Sequence, residues 1–153
     1  MYQKERDKLY LRLNDPYEFT RLRVVEALGK IGSEKAVDAL ILTFLNDESK
    51  SIQYYVINSL GEIGSEKAVD ILISALDTQE DIQDYKWNRN IINALGKIGS
   101  EKASSAIISI LNNYVNDKRY DYCCREIIEA LANIGGQQVH DTLIHLLQSK
   151  KHT

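Results

Sequence analysis

The stretch EALGKIGSEKAVDALI, residues 26–41, returns as NSLGEIGSEKAVDILI at 58–73, as NALGKIGSEKASSAII at 93–108 and as EALANIGGQQVHDTLI at 129–144. Self-similarity of this kind marks a repeat architecture, in which each unit buries its apolar face only by stacking on its neighbours. Leu28, Leu60, Leu95 and Leu131 are equivalent and lie 32, 35 and 36 residues apart, which is room for two short helices per copy. Apolar residues recur at helical spacing in both halves of a copy, first as Val24, Val25, Leu28 and Ile31, then as Val37, Leu40, Ile41 and Phe44.

The punctuation agrees with that reading. Gly32, Gly64, Gly99 and Gly135 stand where a left-handed residue would end a helix, and Ser33, Ser65 and Ser100 stand where an N-cap would open the next. Asp15, Pro16 and Glu18 read as an N-cap, a first-turn proline and a reaching carboxylate. Gly29, Gly61 and Gly96 fall inside helices, where Gly costs about 1 kcal/mol relative to Ala, so close helix packing is expected at these positions. The spacing predicts nine helices, over 2–13, 16–31, 34–46, 50–63, 66–77, 83–98, 101–115, 119–134 and 137–149. The fold class expected is all-α, a right-handed α-solenoid of about four and a half repeats.

Composition bounds the rest. The 153 residues fit one domain, 1–153, with a cap helix at 2–13, repeats centred on 27–29, 59–61, 94–96 and 130–132, and a second cap helix at 137–149. A net charge of −3 lacks the basic excess of a nucleic-acid binder. No run of 18 apolar residues and no leader-like segment occur, so a cytoplasmic location and no membrane partner are expected. Cys123 and Cys124 are adjacent, which suits no disulfide framework and reads as reduced thiols.

The ALGxIG-SEKAVxxLI pattern, with Asp15-Pro16 opening the first copy, resembles the short bacterial HEAT-like repeat named for phycobilin lyases, over about residues 14–147. The signature positions of tetratricopeptide and ankyrin repeats are absent. HEAT-like repeats of this type carry an Arg seven residues before the leucine of the ALG motif. Arg21 fills that place in the first copy, but Gln53, Asn88 and Cys124 stand there in the others. The departure implies less regular turns before 50–63, 83–98 and 119–134, and the longer spacings fall around DTQEDIQD (77–84) and NNYVNDKRYD (112–121).

Both ends read as polar caps of a complete array. Lys4, Glu5, Asp7, Lys8 and Arg12 surround Leu9 and Leu13, while His140 and His145 replace the Val37 and Leu42 of the first copy. Five residues apart on a helix, the two histidines point roughly 140° apart and cannot share one metal. The repeated His-Glu pairs of the HEAT-like deoxyhypusine hydroxylases do not occur, and neither does a CxxC, a P-loop or a GxSxG. Cys123 aligns with Ile52 and Trp87 at a core position, so the cysteine pair reads as packed and inert. No cofactor and no metal site are expected.

What remains is the face that lines the concave side in arrays resembling this one. Over its 24 aligned positions, seven residues are basic and six acidic, too even for phosphate binding, so no nucleic acid is expected and the HEAT-like DNA glycosylases are disfavoured. Five of the chain's 12 aromatic residues lie on it. Phe19, Tyr54, Tyr55, Tyr85 and Tyr122 are the candidate anchors for a protein or peptide partner, with Arg23, Arg89 and Arg125 to pair its carboxylates. The expectation is a non-enzymatic interaction or scaffold module, a monomer. The rivals are a bilin lyase-like or tetrapyrrole-chaperone protein, implied by the resemblance, and a regulatory or toxin-neutralising protein.

Overall fold

Each apolar stripe becomes a helix, and each turn glycine ends one. The computed structural model describes residues 2–76 and 85–149. Among these lie nine α-helices and no strand: α1 (Tyr2–Leu11), α2 (Glu18–Ile31), α3 (Glu34–Asn46), α4 (Lys50–Ile63), α5 (Val69–Ala75), α6 (Tyr85–Ile98), α7 (Ser104–Tyr114), α8 (Asp121–Ile134) and α9 (Gln137–Ser149). The chain forms two compact units, Met1–Ala68 and Val69–Thr153.

In the first unit α2 lies along α4, and α3 packs on both. Val24, Val25 and Leu28 of α2 meet a core completed by Val37, Leu40 and Phe44 of α3 and by Ile52, Val56, Ile57 and Leu60 of α4. The second unit repeats the arrangement, with α6 along α8, α7 on α8, α5 on α6, and α9 against α7 and α8. Its core gathers Leu72, Ile91, Ile92, Leu95, Ile107, Ile110, Leu111, Ile127, Leu131 and Val139. Trp87 Nε1 donates to the Ala75 carbonyl at 2.8 Å, tying the start of α6 to the end of α5.

Two of the helix-interior glycines, Gly29 and Gly96, sit where neighbouring helices approach closely. A methyl built on Gly29 would stand 2.8 Å from Ser59 Oγ of α4, and one on Gly96 would stand 3.0 Å from both Cα and Cβ of Ala130 of α8. Ser59 and Ala130 each precede the repeat leucine of the following copy in their unit. Glycine in one copy therefore docks on the small residue of another. Gly96→Ala is expected to destabilise, because the new methyl meets backbone that cannot turn aside. Overpacking of that kind costs about 1–3 kcal/mol, more than the roughly 1 kcal/mol gained in helix propensity. Gly29→Ala meets Ser59 Cβ at 3.0 Å and a hydroxyl that can rotate, with the helix backbone farther off at 3.7 Å, and should cost less than Gly96→Ala. Urea denaturation of both variants checks the contrast, and equal shifts would refute the close-approach account.

The helix starts depart from expectation. The helix expected over 2–13 ends at Leu11 and tightens into a 3₁₀ turn over Arg12–Asn14. Asp15 does not cap a helix beginning at Pro16. Its backbone is extended, as a residue before proline prefers, and its Oδ1 accepts from Tyr17 N at 2.9 Å, so α2 opens at Glu18. Ser33 caps through its side chain, accepting from Ala36 N at 3.2 Å. After Ser65 and Ser100 the chain instead opens in a 3₁₀ turn, with Ala68 N and Ala103 N each donating at 3.1 Å to the serine carbonyl. The helix expected from 119 likewise starts with a 3₁₀ turn over Lys118–Tyr120, and that expected over 101–115 ends at Tyr114. Residues 77, 83 and 84 of the expected helices, with the whole 77–84 stretch, lie outside the described residues.

Arg21 explains the turn between α3 and α4. Its Nε and Nη2 donate to Asp47 Oδ2 and Oδ1 at 2.8 and 3.3 Å, and its Nη1 donates to the Asp15 carbonyl at 2.9 Å. The bond to Asp47 raises the pKa of the guanidinium further. In the next copy Gln53 takes over a turn-holding task with different chemistry, donating from Nε2 to the carbonyls of Phe44 and Asp47 at 3.3 and 3.0 Å. The turn before 50–63 is accordingly regular, contrary to expectation, and Ser49 caps α4 through Ile52 N at 3.4 Å. Asn88 at the third of these positions is fully buried.

Candidate functional site

On α2, residues 19 and 23 are one turn apart and share a face. Phe19 is 67% exposed, and the Arg23 guanidinium carbon lies 5.1 Å from its ring centroid, while Arg23 Nη1 reaches Glu26 Oε2 at 3.0 Å. The aromatic ring is thus held open to solvent with a cation on its face, a contact worth about 0.5–1 kcal/mol at exposed sites. On α4 of the same unit, Tyr55 is exposed and Tyr54 half-buried.

A related group forms in the second unit, across two helices. Arg89 of α6 donates from Nη2 to Glu126 Oε1 of α8 at 2.8 Å, and its guanidinium carbon lies 5.8 Å from the ring centroid of Tyr122, itself 59% exposed. Arg23 and Arg89, read from sequence as cations for a partner's carboxylates, thus already hold carboxylates of their own. Tyr85 is half-buried. Its hydroxyl lies 3.4 Å from the Cys123 carbonyl and 3.3 Å from Glu126 Oε2, and its ring meets Tyr114 edge-on at 5.9 Å. Burial pushes the phenol pKa well up, so Tyr85 is packed between α6 and α8 where the sequence suggested an anchor facing a partner. Glu126, which joins Tyr85, Arg89 and α8, was not singled out from sequence, because nothing in a helical stripe says which carboxylate will meet a cation on the next helix.

Arg125, next to Glu126 in the chain, lines a groove of about 520 Å³ between α8 and α9, together with Val115, Asp121, Ile128, Leu143, Leu146 and Leu147. Cys124 faces the same groove and is only partly buried, so the expectation of two packed thiols holds for Cys123 alone, whose pKa burial raises. The surface of α9 is also less polar than expected. His140 and His145 are exposed, but so are Ile144 and Leu147. The first unit has a cleft of its own, about 640 Å³, between the turn after α1 and the C-terminal half of α3.

Helix pairs closed by glycine, with the copies of each unit stacked through their ALG positions, define a repeat type that comparison with known families can name. The HEAT repeats family matches residues 6–85 and 41–121, most of the chain. The chain belongs to the HEAT-repeat family. Its last helices match a second description, the PBS lyase HEAT-like repeat, over residues 124–149. No curated protein sequence matches this HEAT-repeat protein significantly. The all-α solenoid class read from the repeat is therefore shown. Among the described residues, no helix is long and apolar enough to cross a membrane, and no three His, Cys, Asp or Glu side chains are grouped to hold a metal ion.

Proposed function

We propose that this HEAT-repeat protein is a non-enzymatic, cytoplasmic binding module that takes a protein or peptide partner on the aromatic and arginine faces of its two units. One observation carries the reading: each unit holds an exposed aromatic ring against an arginine, Phe19 with Arg23 and Tyr122 with Arg89. Large rings fixed in place while still exposed give contact area at little entropic cost, which is why aromatic residues and Arg dominate binding hot spots. Because Arg23 and Arg89 are engaged by Glu26 and Glu126, their part is to orient the rings. Arg125, which has no ion pair among the described residues, is the cation left for a partner's carboxylate.

The partner is to be captured from the source cell, identified by mass spectrometry and then titrated. Phe19→Ala and Tyr122→Ala should each weaken binding by about 1–2 kcal/mol or more with little change in melting temperature. The outer-face variant Lys67→Ala, which loses only exposed ion pairs with Glu34 and Asp38, should change neither. Native affinity in both ring variants together with loss in Lys67→Ala would place the interaction elsewhere. The PBS lyase HEAT-like match favours one second reading, a bilin-handling protein. A shift of bilin absorption on mixing with the protein would support it and count against the partner-binding reading.

A further inference from the structure

The repeats let each copy be checked against the others. At two positions of α3 the first copy carries Leu42 and Leu45. The third copy has Ser109 and Asn112 there, the fourth has His145 and Gln148, and the second has Ser74 at the place of Leu42. Leu42 is 59% exposed and Leu45 57% exposed. Copies with polar residues at these places fold equally into helices, so the helix pair does not require leucine here. Exposed leucines one turn apart leave apolar surface in water at a cost that burial by a partner would recover.

Leu42 is also a wall of the cleft in the first unit, together with Tyr10, Leu13 and Ala39. The rest of the lining includes polar and charged residues, with Asp15, Asp47 and Glu48 against a single lining cation, Arg21. Arg21 and Asp47 satisfy each other. Asp15 Oδ1 accepts from Tyr17 N, and its Oδ2 lies 3.4 Å from Arg12 Nη1. Glu48 is exposed and meets no cation among the described residues. The side-chain carbonyls of Asn14 and Asn46 add acceptors to the same lining.

We propose that this cleft receives a lysine or arginine side chain of a partner peptide, whose neighbouring aliphatic residues cover Leu42 and Leu45. The charge excess selects a cation, and the uncompensated Glu48 gives it a carboxylate to pair with. The leucines select a peptide over a free amine, because Leu45 lies one helical turn beyond Leu42, outside the cleft lining, where a lone ammonium ligand would leave it wet. The surface is built from residues 10–16 and 39–49 with Arg21 of α2, and includes neither Phe19 and Arg23 of α2 nor Tyr54 and Tyr55 of α4.

The test uses a short fluorescein-labelled peptide of alternating leucine and lysine, and a matched leucine–glutamate peptide, titrated by anisotropy against the full chain at physiological ionic strength. The lysine peptide should bind and the glutamate peptide should not. Glu48→Gln and Leu42→Ser should each weaken binding about fivefold or more, while Phe19→Ala leaves it unchanged. Leu42→Ser installs the residue held at Ser74 and Ser109, and an unchanged helical circular dichroism spectrum verifies the fold. No binding of the lysine peptide, equal affinity for all variants, or loss on Phe19→Ala would overturn the proposal. Displacement of the peptide by spermidine as fully as by unlabelled peptide would assign the cleft to a free polyamine and overturn it too.

Discussion

Leu60→Ala and Leu95→Ala are each expected to lower the free energy of unfolding by about 2–5 kcal/mol. Both side chains are completely buried, on α4 and α6, so truncation removes three heavy atoms from a packed interior and leaves a cavity. How much is lost depends on whether the surroundings can close over the gap. At Leu95 they cannot do so easily. The next residue, Gly96, already packs closely on α8, a Cβ built on it lying 3.0 Å from Ala130 Cα, so α6 has little room to move inward. Leu95→Ala should therefore fall in the upper half of the range and Leu60→Ala in the middle. Domains of this kind are stable by about 5–15 kcal/mol in all, so either loss is a large share of the total. The midpoint shift in urea, with the slope held constant, measures it. Leu42→Ala, at an exposed position, is the control and should be nearly silent. Near-neutral results for both core variants would mean that the buried face has been misread.

The helix pairs were legible in the sequence because they depend on local facts: a 3.6-residue apolar period, and glycines at φ values of 61, 73, 75 and 72° at Gly32, Gly64, Gly99 and Gly135. Even the packing of Gly29 and Gly96 could be anticipated, since glycine in a helix interior needs a reason. The 3₁₀ openings after Ser65 and Ser100 could not, because SEKA reads the same in the copy where Ser33 caps through its hydroxyl. The turn before α4 was misjudged for a related reason. A missing arginine suggested irregularity, yet Gln53 bonds the same turn through its amide. Among the candidate site residues, Phe19, Tyr55 and Tyr122 are exposed where the alignment placed them on a surface, whereas Tyr85 is held by Glu126 and Tyr114. A stripe along one helix contains no information about which residue of the next helix, some 40 positions later, will lie opposite it.

Asp47→Ala is expected to be the most damaging polar substitution in the first unit, at about 1–3 kcal/mol, the cost of leaving a part-buried charged donor without its partner. The side chains of Arg21 and Asp47 are only 17% and 9% exposed, so the arginine left behind would keep the Asp15 carbonyl but lose its counter-charge in a place water reaches poorly. Asp47 Oδ1 also accepts from Ser49 N at 3.0 Å, the residue that caps α4, so the same substitution loosens the start of that helix. Arg21→Gln should cost less. Gln53 demonstrates that an amide at the equivalent position can hold a turn through backbone carbonyls, and Asp47 would retain the Ser49 bond. Arg23→Ala breaks an ion pair whose side chains are 63% and 34% exposed, where solvent screens the attraction, and should hardly change stability. Thermal melts of the three variants should rank them in that order. A double-mutant cycle on Arg21 and Asp47 should return a coupling of about 1–3 kcal/mol. If Asp47→Ala proves no worse than Arg23→Ala, the Arg21 clamp does not stabilise the turn between α3 and α4, and the polar wall of the adjacent cleft must be held by its backbone alone.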